Sequence, residues 1–85
     1  MDVASVWRQT VCVTIDEKFL KDFGKRVAEL RGKQILTQEQ LADLVDLHRT
    51  YIGFIEQGKR NPSISNVKKI AKVLKVSLSE LFKPL

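Results

Sequence analysis

Arg49, Thr50, Gly53 and Phe54 fall on one side of a short helical stretch, whereas Ile52 and Ile55 fall on the other. A helix facing only water has little use for an Arg, a Thr, a Gly and a Phe together. Base edges in a major groove do suit them: guanine offers paired acceptors to Arg, and thymine offers a methyl to an apolar side chain. Gly53 would let the backbone approach a duplex closely, at ~1 kcal/mol of helix propensity. The chemistry is recognition rather than catalysis. The only His (His48) and the only Cys (Cys12) lie in different segments, and no carboxylate pair or Gly-rich phosphate loop accompanies them. One His and one Cys do not make the usual four-ligand zinc site, and a lone Cys excludes an intrachain disulfide, so neither metal nor cofactor is expected.

The elements that must position those residues are legible from their start and stop signals. Thr37 with Gln40 forms a capping box, and Leu41, Ala42, Leu44 and Val45 follow as an apolar stripe. Asp46, Leu47 and His48 break the pattern; a second helix then runs from about Arg49 to Gln57 and stops at Gly58, a residue at ease in left-handed geometry. Two short amphipathic helices across a three-residue break form a helix-turn-helix pattern. Upstream, Thr14 with Glu17 predicts the start of a first helix reaching about Gln34, with Phe19, Leu20, Phe23, Val27 and Leu30 inward. Downstream, Pro62 and Ser63 lead into a helix with Ile64, Val67, Ile70, Ala71 and Leu74 at helical spacing. Ser77 with Glu80 caps a last one carrying Leu78, Leu81 and Phe82, which Pro84 ends. The expected fold class is all-α: five helices with short connections, preceded by a short N-terminal β-strand arm. The arm spans residues 1–15 and the DNA-binding domain residues 16–85.

The stretches Thr37-Gln38-Glu39-Gln40-Leu41-Ala42, Arg49-Thr50-Tyr51-Ile52 and Ile55-Glu56-Gln57-Gly58-Lys59-Arg60-Asn61-Pro62 resemble the lambda repressor and Cro-like helix-turn-helix family, which includes phage repressors and restriction–modification controller proteins. The resemblance covers about Phe19 to Phe82 and implies the same five helices in the same order. It also implies roles. Gln38 would contact a phosphate and buttress the reading helix; Arg49 and Thr50 would be the principal base readers, and Phe54 would meet a thymine methyl. His48, Tyr51, Lys59, Arg60 and Asn61 would hold phosphates, contacts that position without specifying. Glu56 would pair with Arg31 as a structural ion pair. Two positions depart from the pattern. Ile35 stands where a Gly usually closes the first helix, so that loop is expected to take another path. Asp46 stands at the turn position where Gly is most frequent, but Asp tolerates left-handed geometry.

Several of these residues have a second use open to them. His48 could be the N-cap-side residue of the reading helix, Tyr51 could pack into the domain edge, and Phe54 could join a protein interface. In the arm, β-branched Val11 and Val13 predict a strand that pairs with its copy in a second subunit, with Val6 and Trp7 packing across the dimer; a disordered arm or a cover over the first helix are the other readings.

Charge and length set the partners. The net charge is +5, and seven of the 15 basic side chains but only one of the 10 acidic ones (Glu80) follow Gln57. Such a surface attracts phosphate, although Lys68, Lys69, Lys72 and Lys75 could equally just solvate one helix. An 85-residue chain has a core that a partner chain would reinforce. The expected partners are double-stranded DNA and a second copy, on a roughly palindromic operator and with autoregulation. An antitoxin or adaptor whose main partner is a protein is the competing reading. Without an apolar run of ~20 residues or a signal peptide, the expected place is the cytoplasm, at the nucleoid.

Overall fold

The computed structural model describes the backbone of residues 3–85 and the side chains of residues 17–85. The described chain forms α1 (Val3–Lys33), α2 (Gln38–Val45), α3 (Arg49–Glu56), α4 (Ile64–Leu74) and α5 (Leu78–Phe82). α3 lies between α1 and α2, α4 backs α2, and α5 closes the end of α1 and α4. The start of α1 corrects the expectation of a cap at Thr14 and a strand beyond it: the backbone is helical from Val3. No Gly or Pro interrupts residues 3–23, and β-branched residues lower helix propensity only slightly. A helix can therefore run on through a segment that has no strand to pair with among the described residues. The side chains of Val6, Trp7, Val11 and Val13, expected to cross a dimer, lie outside the described residues.

The core is one cluster: Phe23, Val27 and Leu30 from α1, Leu41, Ala42 and Val45 from α2, Ile52 and Ile55 from α3, Val67, Ile70, Ala71 and Leu74 from α4, and Leu81 from α5. Leu44, Ile64 and Phe19 were expected inside and are not. Leu44 is 60% exposed because the buried face of α2 centres on Val45, between Leu41 and Ala42, and at 3.6 residues per turn Leu44 sits about 100° away. Ile64 opens α4 at the rim of the core, and Phe19 lies beyond it on α1. Phe19 is still not idle: Phe82 stacks between Phe19 and Phe23, with ring centroids 6.1 and 5.3 Å apart.

α1 to α4 all end alike. Ile35 (φ 57°), Asp46 (φ 57°), Gly58 (φ 76°) and Lys75 (φ 62°) are left-handed. The next residue's N–H returns to a carbonyl of the last turn: Leu36 to Arg31 at 3.1 Å, Leu47 to Ala42 at 2.9 Å, Lys59 to Phe54 at 2.8 Å and Val76 to Ala71 at 3.1 Å. This Schellman geometry satisfies carbonyls the helix leaves orphaned. The different path expected at Ile35 is thus corrected: the loop keeps the path a Gly would give and forces a β-branched residue into it.

That strain has nothing to offset it, since Ile35 is 89% exposed. A non-Gly residue in left-handed geometry costs ~1–3 kcal/mol, whereas Gly adds a fraction of that in unfolded-chain entropy. Ile35→Gly is therefore expected to raise stability by about 1 kcal/mol in urea denaturation. A midpoint equal to or below the parent's would show that the Ile side chain contributes contacts that outweigh its strain.

Candidate nucleic-acid interface

Both helices of the motif begin on rigid first turns. At α2, Thr37 Oγ1 accepts from Gln40 N–H at 3.0 Å while Gln40 Oε1 accepts from Thr37 N–H at 2.9 Å. At α3, His48 is the N-cap, its Nδ1 accepting from Thr50 N–H at 3.1 Å. The cap requires an unprotonated Nδ1, so in the neutral ring the hydrogen sits on Nε2, where it remains a donor. Capping and phosphate contact are compatible in this one side chain.

Ile52 and Ile55 are fully buried and lock one side of α3, which leaves Arg49, Thr50 and Phe54 exposed on the other. Gly53 is placed differently from the expectation. It is buried, with the Gln38 and Gln57 amides above it: a Cβ there would stand 3.8 Å from Gln38 Oε1 and 3.9 Å from Gln57 Nε2. Close approach of a duplex to this backbone is therefore covered by two side chains. Both distances are ordinary van der Waals contacts, so a Cβ would also fit beneath the two amides.

Beneath the face, Glu56 gathers three elements. Its carboxylate accepts from Arg31 Nε at 2.7 Å, Arg31 Nη2 at 3.0 Å and Gln38 Nε2 at 2.9 Å. Arg31 Nη1 also donates to Leu36 O at 2.8 Å. The hydrogen bond to Glu56 raises the Arg31 pKa above its ordinary value, against the opposing effect of burial. Gln38 thus supports α3 directly and keeps its second amide hydrogen for another acceptor.

Tyr51 is half-buried against the core. Its hydroxyl accepts from Asn66 Nδ2 at 3.4 Å and the Arg60 guanidinium lies 5.9 Å from its ring centroid. The hydroxyl proton stays free to be donated, so packing at the domain edge is compatible with contact to a phosphate. Lys59, Arg60 and Asn61 follow on the exposed loop after Gly58. Lys68, Lys69 and Lys72 of α4 and its C-cap Lys75 are exposed, and among the described residues none of the four stands in an ion pair.

Three residues that sequence reasoning passed over belong to this arrangement. Glu39 stands beside Arg49, Asn66 holds Tyr51, and Gly24 lets α1 meet the end of α3. Only Gly24 carried a signal, as a Gly inside a helical pattern. Among the described residues no group of three His, Cys, Asp or Glu side chains could hold a metal ion, and no helix is long and apolar enough to cross a membrane.

Residues 27–81 match the helix-turn-helix family model HTH_3. The control protein C.BamHI of Bacillus amyloliquefaciens is 48% identical over 60 residues, 69% of this chain and 74% of that protein. The crystal structure of the restriction–modification controller protein C.AhdI from Aeromonas hydrophila superposes with a TM-score of 0.72 at 46% identity, over 74% of this chain and 91% of that one. The controller protein C.Esp1396I, solved as a tetramer with its natural 35 base-pair operator, gives 0.70 at 35% identity, over 78% and 87%.

Proposed function

The chain belongs to the helix-turn-helix family, and from that premise we propose that it is a sequence-specific transcriptional regulator that binds double-stranded DNA as a homodimer. The observation that carries this reading is the outer face of α3. Arg49, Thr50 and Phe54 are exposed on a helix whose opposite side is immobilised in the core and whose first turn is capped. Arg49 reads a guanine through two parallel hydrogen bonds, Thr50 an adjacent base, and Phe54 a thymine methyl. His48, Tyr51, Lys59, Arg60, Asn61 and the free hydrogen of Gln38 engage phosphates and fix the register. Gly53 lies beneath the Gln38 and Gln57 amides and makes no side-chain contact of its own. Residues 16–85 form the DNA-binding unit, which acts in the cytoplasm at the nucleoid and catalyses nothing.

Two copies related by a two-fold axis present their α3 helices to successive major grooves ~34 Å apart, so the operator is roughly palindromic. C.Esp1396I on its operator supports assembly of more than one copy on one site. No ligand-sensing element is needed for autoregulation if dimerisation is coupled to binding, because occupancy then follows the protein's own concentration.

The test is a mobility shift on the DNA upstream of the protein's own gene, at ~150 mM salt with excess nonspecific DNA. Arg49→Ala is expected to lose ~30-fold or more of operator affinity, because the dimer forfeits one bidentate guanine contact of ~1–3 kcal/mol in each half-site, while nonspecific binding changes little. A folded parent protein that shows no specific shift would remove the operator reading and direct the search to a protein partner.

A further inference from the structure

Glu39 is the acidic side chain that the charge reading leaves unexplained. It stands on the first turn of α2, beside the base-reading face, where a carboxylate repels phosphate. Its Oε2 lies 3.6 Å from Arg49 Nη1, and the two side chains are 67% and 68% exposed. They flank one cleft whose other walls are Arg31, Leu36, Thr37 and Gln38. Both backbones are fixed, Glu39 by the Thr37–Gln40 capping box and Arg49 by the His48 cap. An exposed pair of this kind adds little to folding. The placement nonetheless puts a negative charge against the one guanidinium that reads bases.

We propose that Glu39 is a specificity-determining residue that holds Arg49 in position for a base and away from the phosphate backbone. The inference rests on the DNA-reading function proposed above. An Arg has five donors in a planar fork. With Nη1 turned to Glu39, the Nε and Nη2 edge remains free to meet guanine O6 and N7 together. On a wrong sequence the guanidinium would gain most by turning to a phosphate. Doing so abandons Glu39 as an unpaired carboxylate next to the DNA backbone. Glu39 therefore penalises the nonspecific pose more than the specific one, and the ratio between them is what a regulator needs.

The experiment uses the full chain. The parent protein first selects its site from random duplexes of about 30 base pairs, long enough for two half-sites one helical turn apart. Each base pair of the selected duplex is then substituted in turn, and affinities are measured for the parent, Arg49→Ala, Glu39→Gln and Glu39→Ala, with circular dichroism confirming that each variant is folded. Arg49→Ala identifies the base pair that Arg49 reads, as the position whose substitution ceases to matter. Glu39→Gln and Glu39→Ala are expected to reduce the penalty at that same base pair by about tenfold, to leave the other positions unchanged, and to bind a scrambled duplex more tightly than the parent does. An undiminished penalty at that position, or an equal reduction at every position, overturns the proposal, the second because it reports only the loss of a general negative charge. A parent protein that selects no sequence at all fails earlier, at the function itself, and takes this inference with it.

Discussion

Gly24→Ala is expected to cost about 3 kcal/mol and to lower the melting temperature by roughly 15–20 °C, whereas Gly32→Ala, eight residues along the same helix, should raise stability by ~0.5–1 kcal/mol. A Cβ on Gly24 would lie 2.4 Å from both Ile55 O and Glu56 O and 2.7 Å from Glu56 C, while one on Gly32 meets nothing within 4 Å. The obstruction is backbone, so no side-chain rotation relieves it. α1 would have to lift from the end of α3 and loosen Phe23, Val27 and Ile55 together. Gly58 completes the approach from the other side: its Cβ would meet the backbone N of Lys21 at 2.9 Å, and its φ of 76° disfavours any other residue. For a domain of this size the total stability is ~4–13 kcal/mol, so 3 kcal/mol is a large share. Thermal unfolding by circular dichroism reads both variants. Opposite signs from one substitution on one helix exclude a propensity explanation, and two gains would show that α1 and α3 do not approach this closely.

The same two glycines mark how far the sequence could be read. Positions governed by local rules were legible: the Thr37–Gln40 capping box, the stop at Gly58 and the inward Ile52 and Ile55 each depend on a few neighbouring residues. The exposed face of α3 followed because it is what remains of the helix once the inward residues are assigned. The pairing of Arg31 with Glu56 came from the family resemblance alone, since no local rule links residues 25 apart. Gly24 was visible only as an irregularity, because its reason lies on another helix. Gly53 was misplaced for a similar cause: helical spacing puts it on the outer side, but the amides that cover it come from Gln38 on α2 and from the end of α3. Leu44 shows the limit of counting apolar residues, as a stripe of four includes one that the neighbouring helices do not reach. The start of α1 was misread because a capping box marks a possible beginning and does not prevent a helix from running through it.

Glu56→Ala is the second change expected to act strongly, with a cost of about 3 kcal/mol, and it should impair operator binding although Glu56 is buried beneath the exposed face of α3. The side chain is 6% exposed and that of Arg31 20%. Removing the carboxylate leaves a guanidinium in a partly desolvated place with one remaining partner, Leu36 O. Breaking a buried pair from one side costs ~3–5 kcal/mol, and the residual exposure of Arg31 places this pair at the lower end. Acid or base titration of Arg31 is no substitute for the mutation. Its pKa is raised in the folded chain, so its stabilisation is complete below the ordinary arginine value and is lost only as pH rises above it, beyond the range in which the protein can be handled. Glu56→Gln keeps the shape and one acceptor oxygen but drops the charge, and should fall between the parent and Glu56→Ala. The double variant Arg31→Met with Glu56→Leu distinguishes the net worth of the pair from the penalty of a stranded charge: replacement of both partners by apolar groups is often neutral, and a double variant far more stable than Glu56→Ala would identify the stranded charge as the cause. The consequence for recognition follows from the third hydrogen bond. Gln38 Nε2 loses its acceptor, α2 is no longer tied to the end of α3, and the angle at which Arg49 and Thr50 meet a groove is less fixed. A misplacement of that kind weakens contacts that must be bidentate before it weakens phosphate contacts, so operator affinity should drop while affinity for a scrambled duplex holds. Equal loss on both duplexes at a temperature where the variant is folded would show that Glu56 supports stability alone.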